Sequence, residues 1–187
     1  MNNKFDDTCV IMGIDPGTNI MGFGIIKVEK KEMRLIDMIE YKLPKSDDHN
    51  IKLSKIFKKT TELIKIHRPN YISIESPFFG KNVQSMLKLG RAQGVAMAAG
   101  LQKNIPIFEY APKKIKKSIT GNGNASKEQL AKFLMNFLKF KHESNNKFDA
   151  TDALGAALCH HFQSNLKNQE SSSWKKFISK NKIRIIN

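Results

Sequence analysis

A chain of 187 residues, 40% of them hydrophobic, is long enough for one domain and contains no apolar run near the roughly 20 residues of a membrane helix. Its two cysteines, Cys9 and Cys159, lack CxxC spacing and support neither a disulfide framework nor a zinc site, so we expect buried, reduced thiols. The formal net charge of +15, from 32 Lys and Arg against 17 Asp and Glu, favours a polyanionic partner, with a merely solvated Lys-rich surface as an equally weighted alternative.

The first half of the sequence predicts three strands and a helix. Thr8–Ile14 is a nearly unbroken apolar run that ends at a turn, which is typical of a central strand buried on both faces. Gly22–Val28 and Met33–Lys42 predict two further strands joined by a charged hairpin, so the sheet begins as an antiparallel meander. Apolar residues recur at helical spacing over Asn50–Arg68, and Pro69 marks the end of this first crossover helix.

The second half alternates between strands and helices. In chain order the sequence predicts a strand at Tyr71–Glu75, a helix at Asn82–Lys103, a strand at Ile105–Tyr110, a basic helix from Pro112, a loop at Gly121–Asn124, a helix after Ser126, where Ser126 and Gln129 have capping-box spacing, and a last helix from about Asp149. This order predicts an α/β fold with a five-stranded mixed sheet flanked by helices. We expect one domain over residues 1–164, followed by a basic, flexible tail at 165–187 whose few apolar anchors are Trp174, Phe177 and Ile178.

The helix at Asn82–Lys103 carries small residues at four-residue intervals, namely Gly90, Gly94 and Ala98. Small residues permit close backbone approach by a neighbouring element. That element is either a second subunit or the chain's own sheet, and the sequence leaves the two interpretations nearly equal.

Four acids stand where an open α/β sheet usually builds its site. Asp15 follows a predicted strand, Glu75 ends another, and Asp149 and Asp152 share one face at the start of a helix. If they converge, their mutual repulsion calls for cations, and carboxylate oxygens suit two Mg²⁺ ions, or Mn²⁺, which could activate a water and stabilise a leaving 3′ oxygen. Taken singly, each acid is as well explained by a turn, a strand end or a helix N-terminus.

The motifs around these acids resemble those of the RuvC family of Holliday-junction resolvases over about Val10 to Phe162. The matching segments are Gly13-Ile-Asp15-Pro-Gly-Thr18 with Gly22 and Gly24, Ile74-Glu75-Ser-Pro-Phe78, Lys81-Asn82, Leu87 to Gly94, Phe108-Glu-Tyr110, Gly121 to Gln129, and Asp149-Ala-Thr-Asp152-Ala-Leu154. The resemblance implies an RNase H-like fold and paired, metal-dependent cleavage of four-way DNA junctions. It makes Asp15, Glu75, Asp149 and Asp152 the catalytic, metal-binding acids.

The resemblance also implies contacts to DNA. It places Lys116 and Lys127 near the scissile phosphate and Phe78 where an aromatic ring can stack on an unpaired base, and Lys81 belongs to one of the matching segments. Independently of it, the concentration of Lys113, Lys114, Lys116 and Lys117 is suited to phosphate binding, although a solvated helix face is the commoner fate of such runs. Composition alone would assign Phe78 to the core.

The expected partners of the chain, its location and the alternative functions complete the sequence-based expectations. Paired nicks in a symmetric junction call for a homodimer, and the resemblance implies cooperation with the RuvA and RuvB branch-migration complex. The segment Met1–Asp7 is too polar for a signal peptide, so we expect a cytoplasmic protein that makes no membrane contact. His160 and His161 are interpreted as structural, whereas the sequence leaves undecided whether His142 reaches the acids. The alternatives are an actin-like or sugar-kinase-like ATP-binding fold and a non-catalytic DNA-binding module.

Overall fold

A five-stranded mixed sheet forms the centre of the molecule. The computed structural model describes residues 8–30, 32–77, 82–140 and 150–164. The strands are β1 (Thr8–Asp15), β2 (Ile20–Glu29), β3 (Glu32–Lys42), β4 (Tyr71–Glu75) and β5 (Ile107–Tyr110), in the spatial order β3-β2-β1-β4-β5. β1 pairs antiparallel with β2 and parallel with β4, and β4 pairs parallel with β5. The predicted meander and the central position of the first strand are confirmed.

Helices cover both faces of this sheet. They are α1 (His49–His67), α2 (Val83–Leu101), α3 (Pro112–Thr120), α4 (Lys127–Leu138) and a further helix, α5, over residues 150–164. α4 begins with the predicted capping box, in which Ser126 and Gln129 each bind the other's backbone N–H. No helix in the described ranges is long and apolar enough to cross a membrane.

The core lies in two layers because β1 presents alternate side chains to opposite faces. Met12 and Ile14 pack with the helices α1 and α2, whereas Ile11 packs with α3, α4 and α5. All three side chains are fully buried, as expected for a central strand that is covered on both sides. Cys9 and Cys159 are buried free thiols on the α5 side, as predicted.

Helix α5 lies directly on the sheet backbone. Gly13 on β1 is paired with Gly24 on β2, and a Cβ atom at either position would overlap main-chain atoms of α5, at Ala153 and Leu154 respectively. Glycine inside a strand commonly marks such a close approach of another backbone. This contact fixes the height of α5 above the sheet.

Helix α2 packs through a different set of small residues. Ala92, Ala96 and Ala99 are fully buried against the other face, whereas Gly94 and Ala98 are exposed. A Cβ atom at Gly90 or Gly94 would have nothing within 4 Å among the described residues. The interpretation in which the Gly90, Gly94 and Ala98 series packs on the chain's own sheet is therefore wrong, because that series faces outward.

Candidate active site

Three of the four acids predicted from the sequence meet at one edge of the sheet. Ile14 on β1 is the register partner of Ile74 on β4, so Asp15 and Glu75, each the next residue, leave the two parallel strands side by side. Both line a cavity of 130 Å³ that also includes Asp152 from the first turn of α5. Asp152 is only 6% exposed. Asp149, the fourth acid, lies outside the described residues.

Two lysines complete the cavity wall. Lys127 is the first residue of α4, and its Nζ lies 2.7 Å from Oδ2 of Asp152. Lys116 reaches the cavity from α3. Apolar side chains of Ile115 and Leu130 close the floor, so the acids and lysines face each other across a partly desolvated space.

The electrostatics of Glu75 reflect this enclosure. Burial raises the pKa of its carboxyl group from 4.5 to about 7, and the charge of Asp152 raises the pKa further. Lys127 and Lys116 oppose the rise without cancelling it. A carboxyl group whose pKa is raised by burial and by a neighbouring acid, and which lies in a cavity, is typical of a functional site.

The acids that line the cavity have the chemistry of a site for a hard divalent cation. Asp15, Glu75 and Asp152 offer only carboxylate oxygens, which Mg²⁺ and Mn²⁺ prefer. Within the described ranges, however, no three acidic, histidine or cysteine side chains are grouped closely enough to hold one ion. The ammonium group of Lys127 is paired with Oδ2 of Asp152, so a cation that bound this oxygen would have to compete with the lysine.

The remaining predicted DNA contacts are dispersed. Lys113, Lys114 and Lys117 lie exposed on the outer side of α3, outside the cavity. Lys114 approaches the ring of Tyr110 with its Nζ 5.3 Å from the centroid, a cation–π distance. α3 thus divides its lysines between the cavity, through Lys116, and the surface. Phe78 and Lys81 lie outside the described residues.

The two adjacent histidines of α5 do not line the cavity. Nδ1 of His160 lies 2.9 Å from the hydroxyl oxygen of Tyr110, and its ring centroid lies 4.2 Å from that of Phe108. His161 is also buried, and desolvation lowers its pKa. Their contacts agree with a structural role, whereas His142 lies outside the described residues.

Sequence reasoning missed two features of this site. The first is the ion pair between Lys127 and Asp152, which joins residues that no local pattern relates. The second is the close contact of Gly13 and Gly24 with the backbone of α5. The sequence did contain a signal for this contact, because glycine within an apolar strand often marks the close approach of another backbone.

The sheet topology and the acid-lined cavity define a nuclease of the RNase H-like class, and comparisons with known proteins agree. The structure superimposes on Thermus thermophilus RuvC, solved in complex with a Holliday junction substrate, with a TM-score of 0.78 and 28% identity over 85% of this chain and 96% of that one. A relative from Christiangramia forsetii named crossover junction endodeoxyribonuclease RuvC is 56% identical over 94% of this chain and 92% of its own length. One of the same name from Cytophaga hutchinsonii is 53% identical over 94% and 88%.

The model of the family described as crossover junction endodeoxyribonuclease RuvC matches residues 11–160. This chain belongs to that family, whose members are metal-dependent nucleases. The expected fold and the expected class of activity, endonucleolytic resolution of Holliday junctions, are thereby confirmed. The ATP-binding and non-catalytic alternatives are set aside.

Proposed function

We propose that Asp15, Glu75, Asp149 and Asp152 are the catalytic acids with which this chain resolves four-way DNA junctions. The observation that carries the proposal is the convergence of Asp15, Glu75 and Asp152 in one cavity from three separate elements of the chain. Asp149 enters by resemblance, and it immediately precedes α5 in the sequence. The cytoplasm, where bacterial DNA is found, is the proposed location.

The proposed cofactor is a pair of Mg²⁺ ions, with Mn²⁺ as a possible substitute, held by these carboxylates. When bound, the ions would activate a water and stabilise the leaving 3′ oxygen of the phosphodiester. Glu75 contributes a carboxyl group whose raised pKa favours the protonated form until a cation is present. Lys127 is ion-paired with Asp152, and we assign its half-exposed ammonium group a second contact, to a phosphate of the DNA.

The proposed DNA surface continues outward from the cavity. Lys116 and Lys127 stand at the wall, and the three exposed lysines of α3, Lys113, Lys114 and Lys117, extend the positive charge along the helix. Phosphate contacts of this kind position a duplex without reading its sequence. Phe78 and Lys81 are assigned to this surface by resemblance only.

The acid assignment is tested by Asp15→Asn, Glu75→Gln and Asp152→Asn. Each variant should abolish Mg²⁺-dependent nicking of a synthetic four-way junction, because the metal needs the carboxylates, and should leave junction binding nearly intact, because phosphate attraction comes from the lysines. Nicking and gel-shift assays on one preparation separate the two effects. Normal nicking by any of these variants removes that residue from the site.

The proposed active species is a homodimer built on the outward face of α2. This face combines Val83, Leu87 and Leu101, which are 64%, 50% and 59% exposed, with Gly90 and Gly94 between them. An apolar helix face with small residues at its centre allows two copies to approach closely across a twofold axis. Such an assembly supplies two acid clusters for the paired nicks. Cooperation with RuvA and RuvB is proposed on family resemblance alone.

Sedimentation equilibrium tests the dimer. Gly94→Leu should shift the wild-type dimer toward monomer by preventing close approach, while the monomer folds normally because none of the residues that the structure describes lies within 4 Å of a Cβ atom at Gly94. Lys58→Leu, which adds the same side chain to the exposed side of α1, is the control and should remain dimeric. A wild type that stays monomeric on the junction yet makes both nicks defeats the proposal, whereas an unaffected Gly94→Leu dimer rejects only this interface.

A further inference from the structure

A row of small residues crosses three strands beneath α5. Gly24 on β2 is paired with Gly13 on β1, and Gly13 is paired with Ser73 on β4. The two glycines admit the backbone of α5 at Leu154 and Ala153. Ser73 is the one member of the row with a side chain, and that side chain is fully buried.

Ser73 joins the two elements that carry Glu75 and Asp152. Its hydroxyl donates a hydrogen bond of 2.6 Å to the main-chain carbonyl oxygen of Ala156 in α5, across 83 residues of sequence. Ser73 lies two residues before Glu75 on β4, and Ala156 lies one helical turn after Asp152. A single short hydrogen bond therefore spans from the strand of one acid to the helix of the other.

The glycines and the serine constrain α5 in different ways. Contact at Gly13 and Gly24 limits how near the helix approaches the sheet, but neither glycine has a side chain that could bond to the helix at one position along its axis. A hydrogen bond is directional and loses strength steeply when its geometry is distorted. A slide or rotation of α5 would break the bond at Ala156 and move Asp152 relative to Glu75.

We infer that Ser73 is a positioning residue that fixes α5 along its axis and so sets the spacing of Asp152 and Glu75 for metal binding. The inference rests on the proposed metal-binding role of these two acids. Ser73 itself does not line the cavity. Its effect passes entirely through the hydrogen bond to Ala156.

Ser73→Ala is the direct test, because it deletes the hydroxyl and leaves the small side chain. Titration of the metal-free protein with Mn²⁺, followed by the electron paramagnetic resonance signal of free Mn²⁺, should show affinity weakened by about 10-fold, the low end of effects from groups that orient metal ligands. Junction binding measured by gel shift in the absence of metal should stay at the wild-type value, because the lysines are untouched.

Thr60→Val is the matched control. Thr60 is also fully buried, and its hydroxyl also donates to a main-chain carbonyl oxygen, that of Ile56 at 2.8 Å, but it lies in α1 on the opposite face of the sheet. The substitution keeps the shape and deletes the hydroxyl. Thr60→Val should lower thermal stability about as much as Ser73→Ala while leaving Mn²⁺ affinity unchanged. If Ser73→Ala fails to fold, Ser73→Cys replaces it, since a thiol is a weaker donor of similar shape.

Three outcomes overturn the inference. Unchanged Mn²⁺ affinity in Ser73→Ala removes the positioning role, and equal losses in Ser73→Ala and Thr60→Val reduce it to general stability. Asp152→Asn, titrated alongside, separates these failures from a failure of the proposed metal site. If Asp152→Asn binds Mn²⁺ as tightly as the wild type, the metal assignment is wrong and the role of Ser73 is lost with it.

Discussion

Helices α5 and α2 lie on opposite faces of the same sheet and meet it in different ways. α5 rests on backbone at Gly13 and Gly24, where even a methyl group has no room. α2 packs through the alanine side chains Ala92 and Ala96 and leaves a second series of small residues facing outward. The helix that carries Asp152 thus leaves no space between its backbone and the sheet. The other helix leaves an outward surface of small residues, which is the proposed dimer interface.

The same substitution on the two faces should therefore have opposite effects. Gly24→Ala should cost more than about 3 kcal/mol of unfolding free energy and abolish nicking, because the added Cβ overlaps Leu154 and displaces α5. Gly94→Ala should stabilise the monomer by about 0.5–1 kcal/mol, since alanine is the better helix former and the added methyl group meets no atom of the described ranges. Denaturant unfolding of both variants at dilutions where the chain is monomeric measures the difference. A Gly24→Ala protein of wild-type stability would show that the backbone of α5 does not contact the sheet at Gly24.

A smaller effect is expected from the charge of Glu75. Its pKa of about 7 in the folded protein lies above the unfolded value of 4.5, so the stabilisation present below pH 4.5 is lost as the pH rises through 7. Metal-free Glu75→Gln avoids this loss and should exceed the wild type in stability at pH 8 by about 1–3 kcal/mol, with little difference near pH 4.5. Thermal melts in chelator across this pH range provide the measurement.

Glu40→Gln on β3 makes the same change of net charge outside the cavity and serves as the control. An equal gain of stability at pH 8 in Glu40→Gln would assign the effect to net charge rather than to the cavity. A stability gap for Glu75→Gln that is constant from pH 4.5 to pH 8 would contradict the raised pKa.

The smallest effect on stability is expected at the lysines of the cavity wall. Lys127→Ala leaves the buried carboxylate of Asp152 without its ion pair and should cost about 1 kcal/mol in the metal-free protein, a value reduced by the exposure of the lysine. Lys116→Ala should cost less. Both should slow nicking at saturating junction, whereas Lys117→Ala on the outer side of α3 should weaken binding instead. Normal nicking by both wall variants across a range of salt concentrations would refute their assignment.

The sequence predicted what depends on local pattern. The apolar run of β1, the helical spacing of α1 and the capping box of Ser126 and Gln129 each act over a few residues, and each is present in the structure. The positions of Asp15 and Glu75 at one edge followed from the parallel pairing of their strands, which the alternation of strands and helices implied.

The features that escaped prediction depend on tertiary contacts. α2 has small residues on two faces at the same four-residue interval, Ala92 and Ala96 on one and Gly90 and Gly94 on the other, so periodicity alone does not tell which face meets the sheet. The bond from Ser73 to Ala156 and the ion pair from Lys127 to Asp152 join distant segments. Only the folded chain brings such partners together.

The ion pair between Lys127 and Asp152 has a consequence for the order in which ligands act. In the proposed site, a phosphate that draws the ammonium group of Lys127 toward itself would weaken the ion pair with Asp152 and leave that carboxylate with more negative charge to offer a cation. Thermodynamic reciprocity then requires a cation at Asp152 to strengthen the hold on the phosphate by the same factor. In the proposed site, metal ions and the junction therefore bind cooperatively, and each raises the affinity for the other.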